Sequence, residues 1–185
     1  MQGTIVGNES ELLQIAALSS ANNIKTLTAE EKAKDGFVTW SYDFEVLQQL
    51  HQITPSIIVK DGDLVVGYAL VLPPDAATVY PPLATMLNHV GSLEYNNRPV
   101  SSYNYYVMGQ VCVHPDYRGK GVFQLLYQQH KNIYSQQYEL LVTEISTSNH
   151  RSQRAHSKVG FKSIHTYKDE LGEWDVVIWN WELPK

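Results

Sequence analysis

From Tyr103 to Val113 the chain is an apolar, aromatic-rich run of strand composition, and it breaks at His114-Pro115-Asp116-Tyr117-Arg118-Gly119. A helical pattern starts directly afterwards, with Val122, Leu125, Leu126 and Ile133 recurring on one face. Strand, glycine-punctuated turn and amphipathic helix follow in immediate succession, with the glycines marking where strand gives way to helix; by itself this order is an unspecific signal. The arrangement also has a chemical consequence. The first turn of a helix has backbone N–H groups without partners, and the helix dipole places partial positive charge there. An anion such as a pyrophosphate can fill that position. Gly119 and Gly121 carry no Cβ, so a phosphate can come close to the backbone, and Arg118 and Lys120 put formal positive charge beside it. The segment has neither the Gly-Lys-Ser/Thr ending of a P-loop nor the G-x-G-x-x-G dinucleotide fingerprint. Taken alone, it also suits a mononucleotide or simple phosphate binder.

The rest of the chain alternates between the two periods. Gly3 to Val6 reads as a short strand. Asn8 or Ser10 caps a helix from about Glu9, with Leu12, Leu13, Ile15, Ala16 and Leu18 on or near one face. Asp35-Gly36 breaks the next stretch, and Phe44, Leu47 and Leu50 predict a helix from about Asp43 to Gln52. Ser56–Lys60, the turn Asp61-Gly62 and Leu64–Leu72 form the clearest hairpin, closed by Pro73-Pro74. Pro81-Pro82 opens a helix through Met86, Leu87 and Val90, which Asn96-Asn97-Arg98-Pro99 ends. Beyond the glycine turn, Tyr138–Ser146 reads as a strand and Asn149–Val159 as a short helix. Phe161–Tyr167 and Trp174–Trp181 then pair across Asp169-Glu170-Leu171-Gly172. Hairpins and crossovers together define an α+β (mixed α/β) fold, expected as a single domain over residues 1–185.

Composition removes several classes of function. With 43% hydrophobic residues, 12 Tyr and 4 Trp, the chain can bury a sizeable core. A formal charge of −5 argues against nucleic acid, which needs a basic stripe to displace counterions. A single cysteine, Cys112, in an apolar run excludes an internal disulfide framework and a multi-Cys zinc site, and reads as a buried thiol. Met1-Gln2-Gly3-Thr4 does not open a signal peptide, and runs such as Leu64–Leu72 are too short to span a bilayer. A cytoplasmic protein without membrane or nucleic-acid partners is expected. His51, His89, His114, His130, His150 and His165 show no ligand spacing, so no metal is expected.

Val111-x-Val113-x-Pro115-x-Tyr117-Arg118-Gly119-x-Gly121 resembles the acetyl-CoA-binding motif of the GNAT superfamily of N-acetyltransferases, Gln/Arg-x-x-Gly-x-Gly/Ala. Arg118 and Gly121 match it, while Phe123 stands where the family has Gly or Ala. Downstream, Asn149, Gly160 and Phe161 match Asn-x-x-Ala-x-x-x-Tyr-x-x-x-Gly-Phe, with Ser152 for Ala and His156 for Tyr. The resemblance covers about residues 100–165 most strongly. It implies a mostly antiparallel central sheet with a splayed parallel strand pair, flanked by helices, and acetyl-CoA as co-substrate. Val111 and Val113 would offer backbone groups to pantetheine, and Arg118, Gly119, Lys120, Gly121, Val122 and Phe123 would hold the pyrophosphate, with Asn149 beside the cofactor.

The implied activity is transfer of an acetyl group to a primary amine of a small molecule, by direct attack with both substrates bound. The ammonium must first lose its proton, which takes a base or a desolvating site. Some relatives carry a Glu where this chain has Gln110, which cannot take a proton. Glu144, on the second strand of the pair, is the remaining carboxylate, and His156 is the expected proton donor to the leaving thiolate. Trp40 and Tyr42 precede the second helix, where the family walls its acceptor site, and can grip a cation. Tyr103, Tyr105 and Tyr106 suit sheet packing, and Arg151, Arg154 and Lys158 suit either a solvated helix face or CoA phosphates. Three alternatives stay open: a non-catalytic acyl-CoA-binding module, a longer acyl donor, and acylation of a hydroxyl or a protein N-terminus. Family members are often dimers, and Trp179 with Trp181 fits a homodimer interface or a covered closing strand equally.

Overall fold

The structure is a computed structural model that describes residues 1–35 and 37–181. The expected break at Asp35-Gly36 therefore lies partly outside the described residues, since Gly36 is not among them.

Helix α1 (Glu9–Ala21) starts at Asn8, whose side chain accepts from the Glu11 N–H, while the Glu11 carboxylate accepts from the Gly7 N–H. This reciprocal capping fixes the helix start to one residue. Helix α2 (Ala29–Asp35) is an element that the hydrophobic pattern does not reveal. It carries the same signature at its start: Thr28 donates to Glu31, and the Glu31 N–H donates back to the Thr28 hydroxyl. Helix α3 (Phe44–Ile53) is capped by Asp43 and followed by the hairpin of β2 (Ile57–Asp61) and β3 (Leu64–Leu72). Helix α4 (Ala84–Ser92) follows a 3-10 turn over Pro81–Leu83, and a two-residue pair, β4 (Glu94–Tyr95) with β5 (Arg98–Pro99), leads to β6 (Tyr105–Val113). Helix α5 (Val122–Tyr134), β7 (Leu140–Ser146), α6 (His150–Val159), β8 (Lys162–Asp169) and β9 (Gly172–Asn180) complete the order, after an opening strand β1 (Gln2–Ile5).

The described residues build one seven-stranded sheet in the order β1-β2-β3-β6-β7-β9-β8, antiparallel except for the β6–β7 pair. Val6, Leu12, Leu47, Tyr68, Leu72, Val142 and Ile178 belong to the core on the face that α1, α3 and α4 cover. On the other face, Val59, Val66, Tyr106, Leu126, Tyr127 and Leu141 pack with α5 and α6. Tyr103, Tyr105 and Tyr106 are all buried and fill these cores. Trp181 is 7% exposed and packs edge-on against Trp179, so the closing strand is covered.

One irregularity positions the site. Ala69 lies opposite Val111 and Val71 opposite Met108, so β6 takes three steps against two of β3. This is a bulge at Gly109-Gln110, which bends β6 and increases its twist. A Cβ on Gly109 would lie 2.1 Å from Leu72 Cδ1, so any larger residue there would have to displace the buried Leu72 side chain. Beyond it β6 and β7 part company. They pair only at Tyr105–Val107 with Leu140–Val142, although β6 continues to Val113 and β7 to Ser146. The Thr143 hydroxyl donates to the Met108 carbonyl (2.9 Å) and closes the crotch of the fork.

Candidate active site

The fork is open on both faces of the sheet. On the α5–α6 side lies a cavity of about 510 Å³, lined by Val113, Arg118, Gly119, Gly121, Phe123 and the outer turns of α6. On the other side a second cavity of about 510 Å³ is lined by Trp40, Tyr42, Met86, Glu144, Tyr167 and Trp174, among others. Phe37, Val38, Val111, Asn149 and Ser152 line both, so the two spaces meet at the fork. The parted edges of β6 and β7 leave backbone groups beyond the paired segment facing this junction, as an inserted strand-like ligand requires.

The glycine turn gives the first cavity its chemistry. Gly119 and Gly121 have φ of +75° and +82°, a left-handed backbone that side-chain-bearing residues rarely adopt, and a Cβ on either would meet nothing within 4 Å. Gly121 is the residue before α5, and no side chain caps that helix, so its first N–H groups face open space. A phosphate group fits this cradle by charge and by shape.

The neighbouring residues take distinct parts. The Arg118 Nε–H donates to the Val113 carbonyl (3.3 Å), and its Nη2 donates to Asn22 Oδ1 (2.5 Å), which ties the turn to the end of α1 while the side chain lines the cavity. Lys120, by contrast, is exposed, lies over the Tyr117 ring at 5.1 Å and is not among the residues lining the cavity. Phe123 turns its ring onto Tyr127 and His156 (4.8 and 5.1 Å), so a bulky residue is accommodated at a position where its side chain is not asked to meet phosphate. Val122 is buried beneath. Asn149 caps α6 by accepting from the Ser152 N–H and donates to the Phe37 carbonyl, at the junction of the two cavities. Arg151, Arg154 and Lys158 line the first cavity, so the basic side of α6 faces the site rather than only solvent. Burial pushes the Cys112 thiol up to about 12 despite the Arg118 charge, which keeps it protonated.

The second cavity holds the acid–base groups. Glu144 projects into it from β7, and burial raises its carboxyl to about 7; a hydrogen bond from Tyr167 pulls the other way and the Asp169 charge adds to the rise. Among the described residues its buried Oε1 has no hydrogen-bond partner. Burial, and then the neighbouring Glu144, raises the Tyr167 hydroxyl, so it remains a donor. The His89 ring sits 4.4 Å from that of Tyr167 and is held towards the neutral form, first by burial and then by His165. At the mouth, burial works against ionisation of Asp169, but hydrogen bonds from Trp174 Nε1 and the Leu171 and Gly172 N–H groups outweigh it. Gln110, the residue that replaces a carboxylate in the family pattern, is buried in a network. Its amide oxygen accepts from the Ser19 and Tyr68 hydroxyls, and its NH2 donates to the Trp40 carbonyl. Its part is to hold the Trp40 wall in place.

Sequence alone gives Tyr167, His89 and Asp169 only places in a strand, a helix and a turn, with no part in the site. Period-two alternation places Tyr167 and Trp174 as cross-strand partners, but β9 lies between β8 and β7, and no local signal announces that Tyr167 reaches over to Glu144.

His156 has a different occupation from that of an exposed proton donor. It is 1% exposed. Its Nδ1 lies 2.8 Å from the Ser152 carbonyl, which makes Nδ1 the protonated nitrogen, and Nε2 then accepts from the Tyr127 hydroxyl at 2.5 Å. Burial lowers its pKa to about 4, against a smaller opposing effect of the Ser152 backbone, so the ring is neutral at pH 7 with both nitrogens engaged. The expectation that His156 protonates the leaving group therefore requires it first to break one of these bonds.

The two cavities meet at the fork, so a ligand held at the glycine turn and a second one in the other cavity would come together there. A family model described as the Acetyltransferase (GNAT) family matches residues 24–161, and the chain belongs to this family of acyltransferases. No curated protein matches the sequence. Solved structures share the fold over nearly the whole chain. The ribosomal-protein-alanine N-acetyltransferase of Brucella melitensis is 17% identical, covering 97% of this chain and 99% of its own, with a TM-score of 0.62. The ribosomal-protein-S18-alanine N-acetyltransferase of Escherichia coli is 8% identical, covering 100% and 96%, with a TM-score of 0.64. An acetyltransferase of Salmonella typhimurium, solved with its cofactor acetyl-CoA, is 15% identical, covering 98% and 95%, with a TM-score of 0.62. Among the described residues no helix is long and apolar enough to cross a membrane.

Proposed function

We propose that the protein transfers the acetyl group of acetyl-CoA to a primary amine of a small molecule, with both substrates bound at once. The observation that carries this reading is Glu144. It is a half-buried carboxyl with a pKa near 7 whose Oε1 is buried and, among the described residues, unpartnered, on the acceptor side of a fork whose other side is a phosphate cradle. The uncapped start of α5, with Gly119 and Gly121, would take the pyrophosphate, and Arg151, Arg154 and Lys158 the remaining phosphate charge. Pantetheine would run through the fork beside Val111 and Val113 and present the thioester near Asn149.

The ammonium gives one proton to Glu144, and the neutral amine nitrogen forms a bond to the thioester carbonyl carbon. As the tetrahedral intermediate collapses, the carbon–sulfur bond breaks and the nitrogen's second proton passes through solvent to the departing thiolate, while Glu144 later returns its proton to solvent. Glu144 is suited to the first step because a base works best with a pKa near the working pH. His156 positions the acyl end of the cofactor by fixing Tyr127 and the first turns of α6, a role that does not need it charged. The single cysteine has its thiol held protonated by burial, which favours direct attack over an acyl-cysteine intermediate.

Initial-rate kinetics over a panel of small amines, with acetyl-CoA affinity measured separately by calorimetry, test this reading. Glu144→Gln is expected to lose about 100-fold or more in kcat/KM, the usual contribution of a positioned base, with CoA affinity unchanged. Tight acetyl-CoA binding with no amine acetylated by the wild type would instead identify a binding module.

A further inference from the structure

The acceptor cavity differs from the cofactor cavity in the sign of its charges. We infer that the acceptor is an amine on an aromatic or apolar body that carries no carboxylate, drawn in by Asp169 and deprotonated by Glu144. This rests on the reading of the second cavity as the acceptor site.

The side chains argue for the body of the molecule. Trp40, Tyr42, Tyr167 and Trp174 present aromatic surface around the cavity, and Leu83 and Met86 close it from the side of α4. Trp40 is pinned through its carbonyl by Gln110, and Trp174 through its Nε1 by Asp169, so two of the walls are held by hydrogen bonds before any ligand arrives. Rigid aromatic walls favour a flat or compact apolar group and can hold a cation against their faces.

The charges argue for the head. Among the described residues lining this cavity, the acids are Glu144 and Asp169, and no Lys or Arg is present. The groups that face Glu144 are Tyr167 and Asp169 of β8, and His89 of α4 stands behind the Tyr167 ring. A ligand carboxylate would enter with two acids and, among the described lining residues, no Lys or Arg to meet it, and like-charge contacts of that kind are unfavourable. An ammonium meets the opposite situation. Asp169, exposed at the mouth, attracts it as a cation, and Glu144, buried further in, receives its proton. Outer acid and inner base thus act in sequence along one path.

The test compares 2-phenylethylamine with phenylalanine, which shares its body and amine and adds a carboxylate, and with a peptide beginning in phenylalanine. Binding to the full chain with CoA present is followed by calorimetry, and acetylation by initial rates. The amine is expected to bind and to be acetylated with kcat/KM at least about 100-fold above that of phenylalanine, the scale of an unpaired, desolvated like charge. Asp169→Asn keeps the acceptor oxygen used by Leu171, Gly172 and Trp174 while removing the charge. It is expected to raise KM for the amine about five-fold, as for a partly screened ion pair, and to move the ascending limb of the pH profile acid, because the Asp169 charge helps to raise Glu144. Phenylalanine or the peptide serving as well as the amine would overturn the inference, as would an amine that does not bind. An amine that binds with the stated preference but is not acetylated would leave the inference standing and sink the proposed reaction.

Discussion

Tyr167 and Glu144 line one wall of the acceptor cavity from strands that are not neighbours, the phenol of β8 reaching past β9 to hydrogen-bond the carboxyl of β7. The bond favours the charged carboxylate and so restrains a pKa that burial drives upward.

Removing it has a defined sign. Tyr167→Phe takes a hydrogen bond from the ionised form of Glu144, so the pKa rises above about 7. The ascending limb of the kcat/KM–pH profile is expected to move alkaline by about 0.5–1 unit, the size of one hydrogen bond to a charged group. A limb that stays in place or moves acid would remove Tyr167 from the base.

Glu144→Gln carries an opposite expectation for stability. Because the folded-state pKa is raised from 4.5 to about 7, the native protein holds a proton that the unfolded chain has released, and stability falls as pH rises through that window. The cost at pH 8 is up to about 3 kcal/mol, and the amide does not incur it. The variant is expected to melt about 5 °C above wild type at pH 8 and at the same temperature at pH 4.5. Equal melting at both pH values would show that Glu144 is not desolvated in solution.

Much of this site could be read from the sequence where the physics is local. The glycine turn, its strand and its helix are contiguous, so anion binding at Gly119-Gly121 follows from backbone chemistry alone. Glu144 comes from the resemblance, as the carboxylate that remains on the second strand of the pair once Gln110 is set aside. Tyr167, Asp169 and His89 were not legible, because their approach depends on a sheet order that inserts β9 between β7 and β8. Helix α2 was missed for another reason: its Thr28–Glu31 capping box is a legible signal, but its hydrophobic pattern is weak. Lys120 lies over the Tyr117 ring and does not line the cavity, so charge beside a motif does not by itself say which side chain faces the space.

His156→Ala separates a positioning role from acid catalysis. The truncation leaves the fully buried Tyr127 hydroxyl without its partner and opens a void beside Phe123 and Phe161. A loss of about 2–4 kcal/mol is expected, read by urea denaturation. Tyr127→Phe in the His156→Ala background removes the stranded hydroxyl and is expected to recover part of it. If His156 acts only by position, the thiolate product still leaves, and kcat at alkaline pH stays within about ten-fold of wild type. A deep loss of kcat without loss of stability would return His156 to the role of acid.

Gly121→Glu tests the phosphate cradle. The backbone there has φ +82°, with open space around a built Cβ, so the substitution strains the turn without a clash and places a carboxylate where the phosphate would sit. CoA affinity is expected to fall about 100-fold or more through like-charge repulsion, while the amine still binds the second cavity. Unchanged CoA affinity in a folded variant would remove the uncapped start of α5 from the cofactor site.

The bulge at Gly109-Gln110 that opens the fork also makes the two cavities share Phe37, Val38, Val111, Asn149 and Ser152. A shared wall means that neither space can be reshaped alone. A larger side chain at position 111 would narrow both cavities at once, so in the proposed arrangement it would act on donor and acceptor together. In the proposed arrangement, a change of acceptor that leaves the donor undisturbed falls to residues such as Met86, Leu171 and Trp174, which line the second cavity alone.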